Sequence, residues 1–231
     1  MKIDYISDLH LDFYKDISIE SLCSNGDILL IGGDISNNNE QTEHALSVFC
    51  SIYPNVVTVI GNHDLYGDTF ARLLGLKEIC KKYGITLLDN TTTTIGDVTI
   101  GGGSGWCDFS YSNDPLSVYR YKRQINDMRF IDREYFNNDV YMFALEQKKK
   151  IKDLSIKCDI LLTHFGGRRR SIAPQYKNEN STDFFYFNGE DIEVPWVYGH
   201  QHTAYEDKNT FVNPMGYPFE NNTAKIKSIS C

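Results

Sequence analysis

The chain has 231 residues, 41% hydrophobic and 23% charged, with a formal charge of −8. That length and apolar content suit a single α/β domain spanning 1–231, and low proline with ordinary glycine argues against disorder. The negative charge gives no global attraction for nucleic acid, although local basic clusters can still act. The N-terminus, MKIDYISDLH, has no apolar h-region, and no run is long enough to span a membrane. The six cysteines (Cys23, Cys50, Cys80, Cys107, Cys158 and Cys231) are scattered, with no C-x-x-C pair. A cytoplasmic protein with free thiols is the expectation.

Five short apolar runs are read as strands buried on both faces. KIDYI (2–6) leads into Ser7-Asp8, DILLI (27–31) into Gly32-Gly33-Asp34 and VVTVI (56–60) into Gly61-Asn62-His63-Asp64. DILLT (159–163) leads into His164, and VPWVY (194–198) into Gly199-His200. Between them, residues 40–52, 68–83 and about 139–157 carry helical periodicity. Asp68 is placed to cap the second of these helices and Gly84 to end it. Residues 91–103 read as a hairpin turning at Gly96-Asp97, and 210–213 and 224–229 as closing strands. Residues 108–136 are aromatic and charged and fit neither period, so a long excursion near the site is expected.

In open α/β sheets, ligands bind beyond the carboxyl ends of strands. Of six histidines, five (His10, His63, His164, His200 and His202) sit in these strand-end signatures, and only His44 lies elsewhere, on a predicted helix. His200 and His202 would reach one cavity if their backbone is extended, since side chains two apart then point the same way. Asp8, His10, Asp34, Asn62, His164, His200 and His202 offer mixed oxygen and nitrogen donors without thiolate. Such donors suit manganese, iron or zinc. They are too many for one tetrahedral ion and about right for two ions sharing Asp34, roughly 3.5–4 Å apart.

Together, D-x-H (8–10), G-G-D (32–34), G-N-H-D (61–64), His164 and G-H-x-H (199–202) resemble, in order, the five motifs of calcineurin-like metallophosphoesterases. The resemblance implies an α/β fold, a four-layer α/β/β/α sandwich of two mixed sheets flanked by helices. It implies two divalent ions, manganese foremost with iron, zinc or nickel as alternatives. One would be held by Asp8, His10, Asp34 and His202, the other by Asp34, Asn62, His164 and His200, with His63 facing the substrate as the catalytic acid. A water bridging two such ions loses its proton near neutral pH and attacks phosphorus in line. More loosely, SDLHLDFY, GWCDF and IND resemble small bacterial and phage members of the family.

Where phosphoprotein phosphatases of the superfamily carry G-D-x-x-D-R-G, this chain has G-D-I-S-N-N-N, with Asn37 and Asn38 in place of the Asp and the phosphate-binding Arg. That favours a phosphodiesterase acting on a nucleotide, a small phosphodiester or a short oligonucleotide. A phosphomonoesterase, including a phosphoprotein phosphatase, is the alternative, and a non-catalytic metal-binding scaffold is a third reading. A second departure, Thr163-His164-Phe165-Gly166-Gly167, leaves the wall beside His164 open. Arg168, Arg169 and Arg170 are either a solvated loop or a lip gripping substrate phosphates. No membrane partner is expected, and oligomeric state is not readable.

Overall fold

The computed structural model describes residues 1–220 and 225–230. Cys231 and Ala224, the latter the expected start of the last strand, lie outside the described residues.

The elements follow the chain as β1 (Lys2–Ile6), β2 (Ile28–Ile31), α1 (Asn39–Ile52), β3 (Asn55–Val59), α2 (Thr69–Tyr83) and β4 (Thr86–Leu88). They continue through β5 (Thr91–Ile95), β6 (Val98–Gly103), α3 (Ser117–Gln124), α4 (Asp127–Phe130) and α5 (Val140–Ser155). The last are β7 (Ile160–Thr163), β8 (Trp196–Tyr198), β9 (Tyr205–Asp207), β10 (Thr210–Val212) and β11 (Lys227–Ser230). One sheet has the order β11-β1-β2-β3-β4, with only β11 antiparallel to its neighbour. The other has the order β5-β6-β7-β8-β10-β9, parallel from β6 to β10 and antiparallel at both edges.

The period of two explains how the apolar runs are used. Ile28 and Leu30 of β2, and Ile160 and Leu162 of β7, enter the core between the sheets, with Ile3, Tyr5, Val57, Val59 and Val197. Their neighbours Leu29 and Ile31 face the other way, onto Leu46 and Phe49 of α1 and Leu76 of α2. Across the molecule, Leu161, Trp196 and Tyr198 pack on Ile151 and Leu154 of α5. This is the expected four-layer α/β/β/α sandwich. Each fully buried aliphatic side chain contributes roughly 1.5–3 kcal/mol, so both faces of the central strands stabilise the frame that carries the site.

Helix ends follow local chemistry. Asp68 accepts from Ala71 N at 3.1 Å to cap α2, and Gly84 ends it at φ 69°. The segment 108–136 breaks into α3, α4 and a short 3-10 turn (Arg133–Phe136), too short for a period to show. It is held by aromatic contacts such as Phe109–Tyr121 (5.2 Å) and Trp106–Phe136 (5.1 Å). No helix among the described residues is long and apolar enough to cross a membrane.

Candidate metal centre

Because β1, β2 and β3 run parallel, as do β7 and β8, their carboxyl ends project the strand-end signatures toward one region. The backbone there is not extended. Asp8 (φ 51°), His10 (43°), Asp34 (55°), His200 (67°) and His202 (22°) all take left-handed conformations. For non-glycine residues this costs about 1–3 kcal/mol each and persists only where surrounding structure over-determines it. Asp64 supplies part of that constraint: its carboxylate accepts from Asp34 N, Ile35 N and Gly61 N, each at 2.9 Å, and so ties the end of β3 to the end of β2. Gly61 must lack a side chain, since a Cβ there would sit 2.0 Å from Asp34 Oδ1.

The left-handed turns correct the expectation of an extended His200–His202 pair. β8 ends at Tyr198, and the two rings go to different places. Donor atoms of Asp8, His10 and His202 converge in one group, and those of Asp34, His164 and His200 in another. A third group, His10, Asp34 and His63, joins them. Asp34 Oδ2 lies 3.7 Å from His10 Nε2 and 3.4 Å from His164 Nε2, between the two halves.

The hydrogen bonding of this set fits cation binding. Gly32 O can only accept, so the proton of His164 sits on Nδ1 (2.8 Å), leaving Nε2 with a lone pair. That lone pair faces Asn62 Oδ1 at 2.8 Å, a second acceptor, oriented because Asn62 Nδ2 donates to Asp127 Oδ1 (2.8 Å) and Tyr66 Oη (3.2 Å). Likewise His202 Nδ1 faces the Glu220 carboxylate at 2.9 Å while its Nε2 lies 2.9 Å from His10 Nε2. Asp8 Oδ2 is buried with no hydrogen-bond partner. Among the described residues, the ion-pair partners of Asp8 and Asp34 are imidazoles, with no lysine or arginine beside them. An acceptor aimed at an acceptor, His164 Nε2 at Asn62 Oδ1, beside buried carboxylates fits a divalent cation, and the N/O donor set suits the metals expected.

The titration behaviour has the same origin. Burial, then the neighbouring Asp64 and Asp8 carboxylates, pushes the Asp34 carboxyl well above its ordinary value. Burial and the other imidazoles hold His10 and His200 well below theirs. His164 is also lowered, by burial against opposing carboxylates. His63 falls to about 3, through burial and then His164 and His202. Burial would also lower His202, but the Glu220 and Asp8 carboxylates outweigh it and hold that ring above its usual value.

Three residues not singled out from sequence complete the surroundings. Asp127 accepts from Asn62, from Tyr66 Oη (2.5 Å) and from Tyr121 Oη (2.6 Å), and Tyr121 in turn accepts from Trp106 Nε1 (3.1 Å). It orients Asn62 from the excursion, where the IND segment was the only local signal. Glu220 orients His202, and the Tyr217 ring packs 4.5 Å from His10 with its hydroxyl 3.3 Å from His63 Nε2. Beside His164, Phe165 stacks on His200 at 4.1 Å, and Gly166 makes room for the Tyr198 ring.

A cavity of about 630 Å³ opens from Asp34, Asn62, His63, His200 and His202. The expected arginine lip is not formed. Arg168 is buried, donates to Ile192 O and lies 5.7 Å from the Trp196 ring. Arg169 stacks on Tyr111 at 4.6 Å and donates to its carbonyl. Arg170 pairs with Asp207 at 2.5 Å and with Asn209. None of the three lines the cavity: their guanidinium groups turn instead to a carbonyl, an aromatic face and a carboxylate, with Arg168 Nε buried and without a hydrogen-bond partner.

No match was found among curated proteins. The crystal structure of phosphopantetheinyl hydrolase (PptH) from Mycobacterium tuberculosis superposes with a TM-score of 0.75 over 99% of this chain and 95% of that one, at 18% identity, a likeness of fold. A structure of the protein of unknown function AQ665 from Aquifex aeolicus covers 98% and 95% at 14% identity, with a TM-score of 0.35 too low to bear on the fold. The family model described as calcineurin-like phosphoesterase matches residues 1–204. With that match, this sandwich and this set of converging donors, the chain belongs to the calcineurin-like phosphoesterase family and is a metal-dependent phosphoester hydrolase.

Proposed function

We propose that the chain is a phosphodiesterase working with two divalent ions, manganese foremost and iron, zinc or nickel as alternatives. Asp8, His10 and His202 would hold one ion, Asn62, His164 and His200 the other, with Asp34 shared. Bound there, the ions would supply positive charge for the phosphoryl oxygens and acidify a water nucleophile. The chain's own part is orientation and proton handling. Asp127 fixes the Asn62 amide, Glu220 fixes His202, and His63 faces the cavity with its backbone N–H on Asp34 Oδ1 (2.8 Å). His63 would hydrogen-bond a phosphate oxygen and protonate the leaving oxygen.

The observation that carries the diester reading is the state of Asn37 and Asn38. Asn38 is not near-vacant ground for a phosphate contact: its side chain caps α1, accepting from Glu40 N (2.8 Å) and Gln41 N (3.3 Å). Asn37 N donates to Asp12. The positions that clamp a monoester dianion in phosphoprotein phosphatases are neutral here, and one is committed to a helix cap. A diester monoanion has no need of that extra cation. Bis-(4-nitrophenyl) phosphate should therefore be turned over at least as well as 4-nitrophenyl phosphate under the same metal, and a large monoester preference would move the assignment to a phosphatase. The fold neighbour makes phosphopantetheinyl esters the first natural substrates to assay.

Asp127 offers a separate check on the ligand set. Outer-shell partners typically contribute about 10–100-fold in metal affinity, so Asp127→Asn should weaken one of two binding events by that much while leaving the other. Competition with a chelating dye reads this directly. Equal affinities in variant and parent would show that Asn62 is not a ligand held by Asp127.

A further inference from the structure

The cavity is far larger than a phosphate needs, and its outer walls have a definite chemistry. No lysine or arginine lines it, and residues 221–224 and 231 carry no cationic side chain. Its two acidic groups beyond the metal centre are occupied, Asp127 by Asn62, Tyr66 and Tyr121, and Glu220 by His202. What remains are aromatic faces such as Phe185, which stacks on His200 at 5.2 Å, and Tyr176, together with neutral hydrogen-bonding groups such as Asn126, Gln175 and Thr203. Lys177, Arg123 and Arg129, which flank lining residues in sequence, do not line it, and Arg168 to Arg170 are turned to other partners.

Resting on the diesterase reading, we infer that this cavity takes an uncharged, amphipathic arm of the diester, one with apolar surface and amide or hydroxyl groups and no charge beyond the scissile phosphate. An anionic arm would lose its hydration without gaining a fixed cation, beside carboxylates of its own sign. Polyphosphates and oligonucleotides are disfavoured for the same reason, since binding of nucleic-acid strands draws on Lys and Arg contacts to phosphates. Aromatic faces and neutral donors are what an apolar arm with a few polar groups uses for orientation.

The test uses symmetric diesters, so that whichever arm enters the cavity carries the probe group. Bis-(3-sulfamoylphenyl) phosphate should exceed bis-(3-sulfonatophenyl) phosphate in kcat/KM by at least ~10-fold, since the two differ chiefly in arm charge. Gln175→Arg, at an exposed wall position, and separately Thr203→Arg should each narrow that ratio by several-fold. Parity of the two diesters in the parent protein overturns the inference. So does a preference that neither arginine variant narrows, because the discrimination then lies outside the cavity. Turnover of 4-nitrophenyl phosphate with neither diester cleaved would instead remove the diesterase reading beneath it.

Discussion

Asp34→Asn should abolish binding at both metal positions while leaving the metal-free fold at least as stable as the parent. The geometry requires the first effect: Asp34 Oδ2 lies within 3.4–3.7 Å of imidazole nitrogens from both halves of the site. The second follows from the same burial that raises the Asp34 pKa. In metal-free protein a carboxylate packed against Asp64 and Asp8 is a source of repulsion, and an amide relieves it while still accepting from His63 N. For the parent, metal at a hundred times Kd stabilises by about 2.7 kcal/mol per site, which for a chain of this size is about 5–10 °C in melting temperature. The variant should lose most of that gain, and metal analysis should fall from two ions per chain to well below one. If the variant still holds two ions, or the parent never exceeds one, the shared-carboxylate arrangement is wrong.

His63→Ala should separate chemistry from metal binding. The ring faces the cavity, lies 4.6 Å from His10 in an edge-on contact and stacks on Tyr66 at 4.3 Å. Its Nδ1 is buried without a hydrogen-bond partner, and its Nε2 meets Tyr217 Oη. Removing a group that acts mainly in the transition state lowers kcat without emptying the site. General-acid help is worth about 10²–10⁴-fold, so losses of that order are expected for substrates with alkoxide leaving groups. They should be much smaller for 4-nitrophenolate, which departs without a proton. In the metal-free protein, burial and then the His164 and His202 rings lower its pKa to about 3. Because His63 also groups with His10 and Asp34, release of an ion from His63→Ala would identify it as a ligand. Retained metals with equal losses for good and poor leaving groups would leave only a charge-stabilising role. His200→Ala is the contrast, expected to shed metal and fail with both substrate types.

Much of the frame was legible in the sequence because it rests on local rules. Continuous apolar runs such as ILLI suit a central strand buried on both faces, and β2 and β7 are such strands. Asp68 and Gly84 marked the ends of α2 through capping chemistry that involves only a few neighbouring residues. The strand-end motifs come together because neighbouring parallel strands finish at the same edge of a sheet. The last strand began later than expected, at Lys227, where pairing with β1 sets the limit.

Tertiary structure decided what those rules do not reach. His200 and His202 diverge into different donor groups because their backbone is left-handed, a conformation imposed by contacts such as His200 N to Asp8 Oδ1 at 2.8 Å. Asp127 meets Asn62 across 65 positions, and Glu220 meets His202 from beyond β10, so neither partnership leaves a periodic trace. Three consecutive arginines looked alike in sequence and went to a carbonyl, an aromatic ring and a carboxylate. Residue types and spacing thus determined the layers, the strand ends and the donors available. The direction of each donor and the charge of the cavity walls depended on which distant groups satisfied the remaining hydrogen bonds, and only the packed chain brings those groups together.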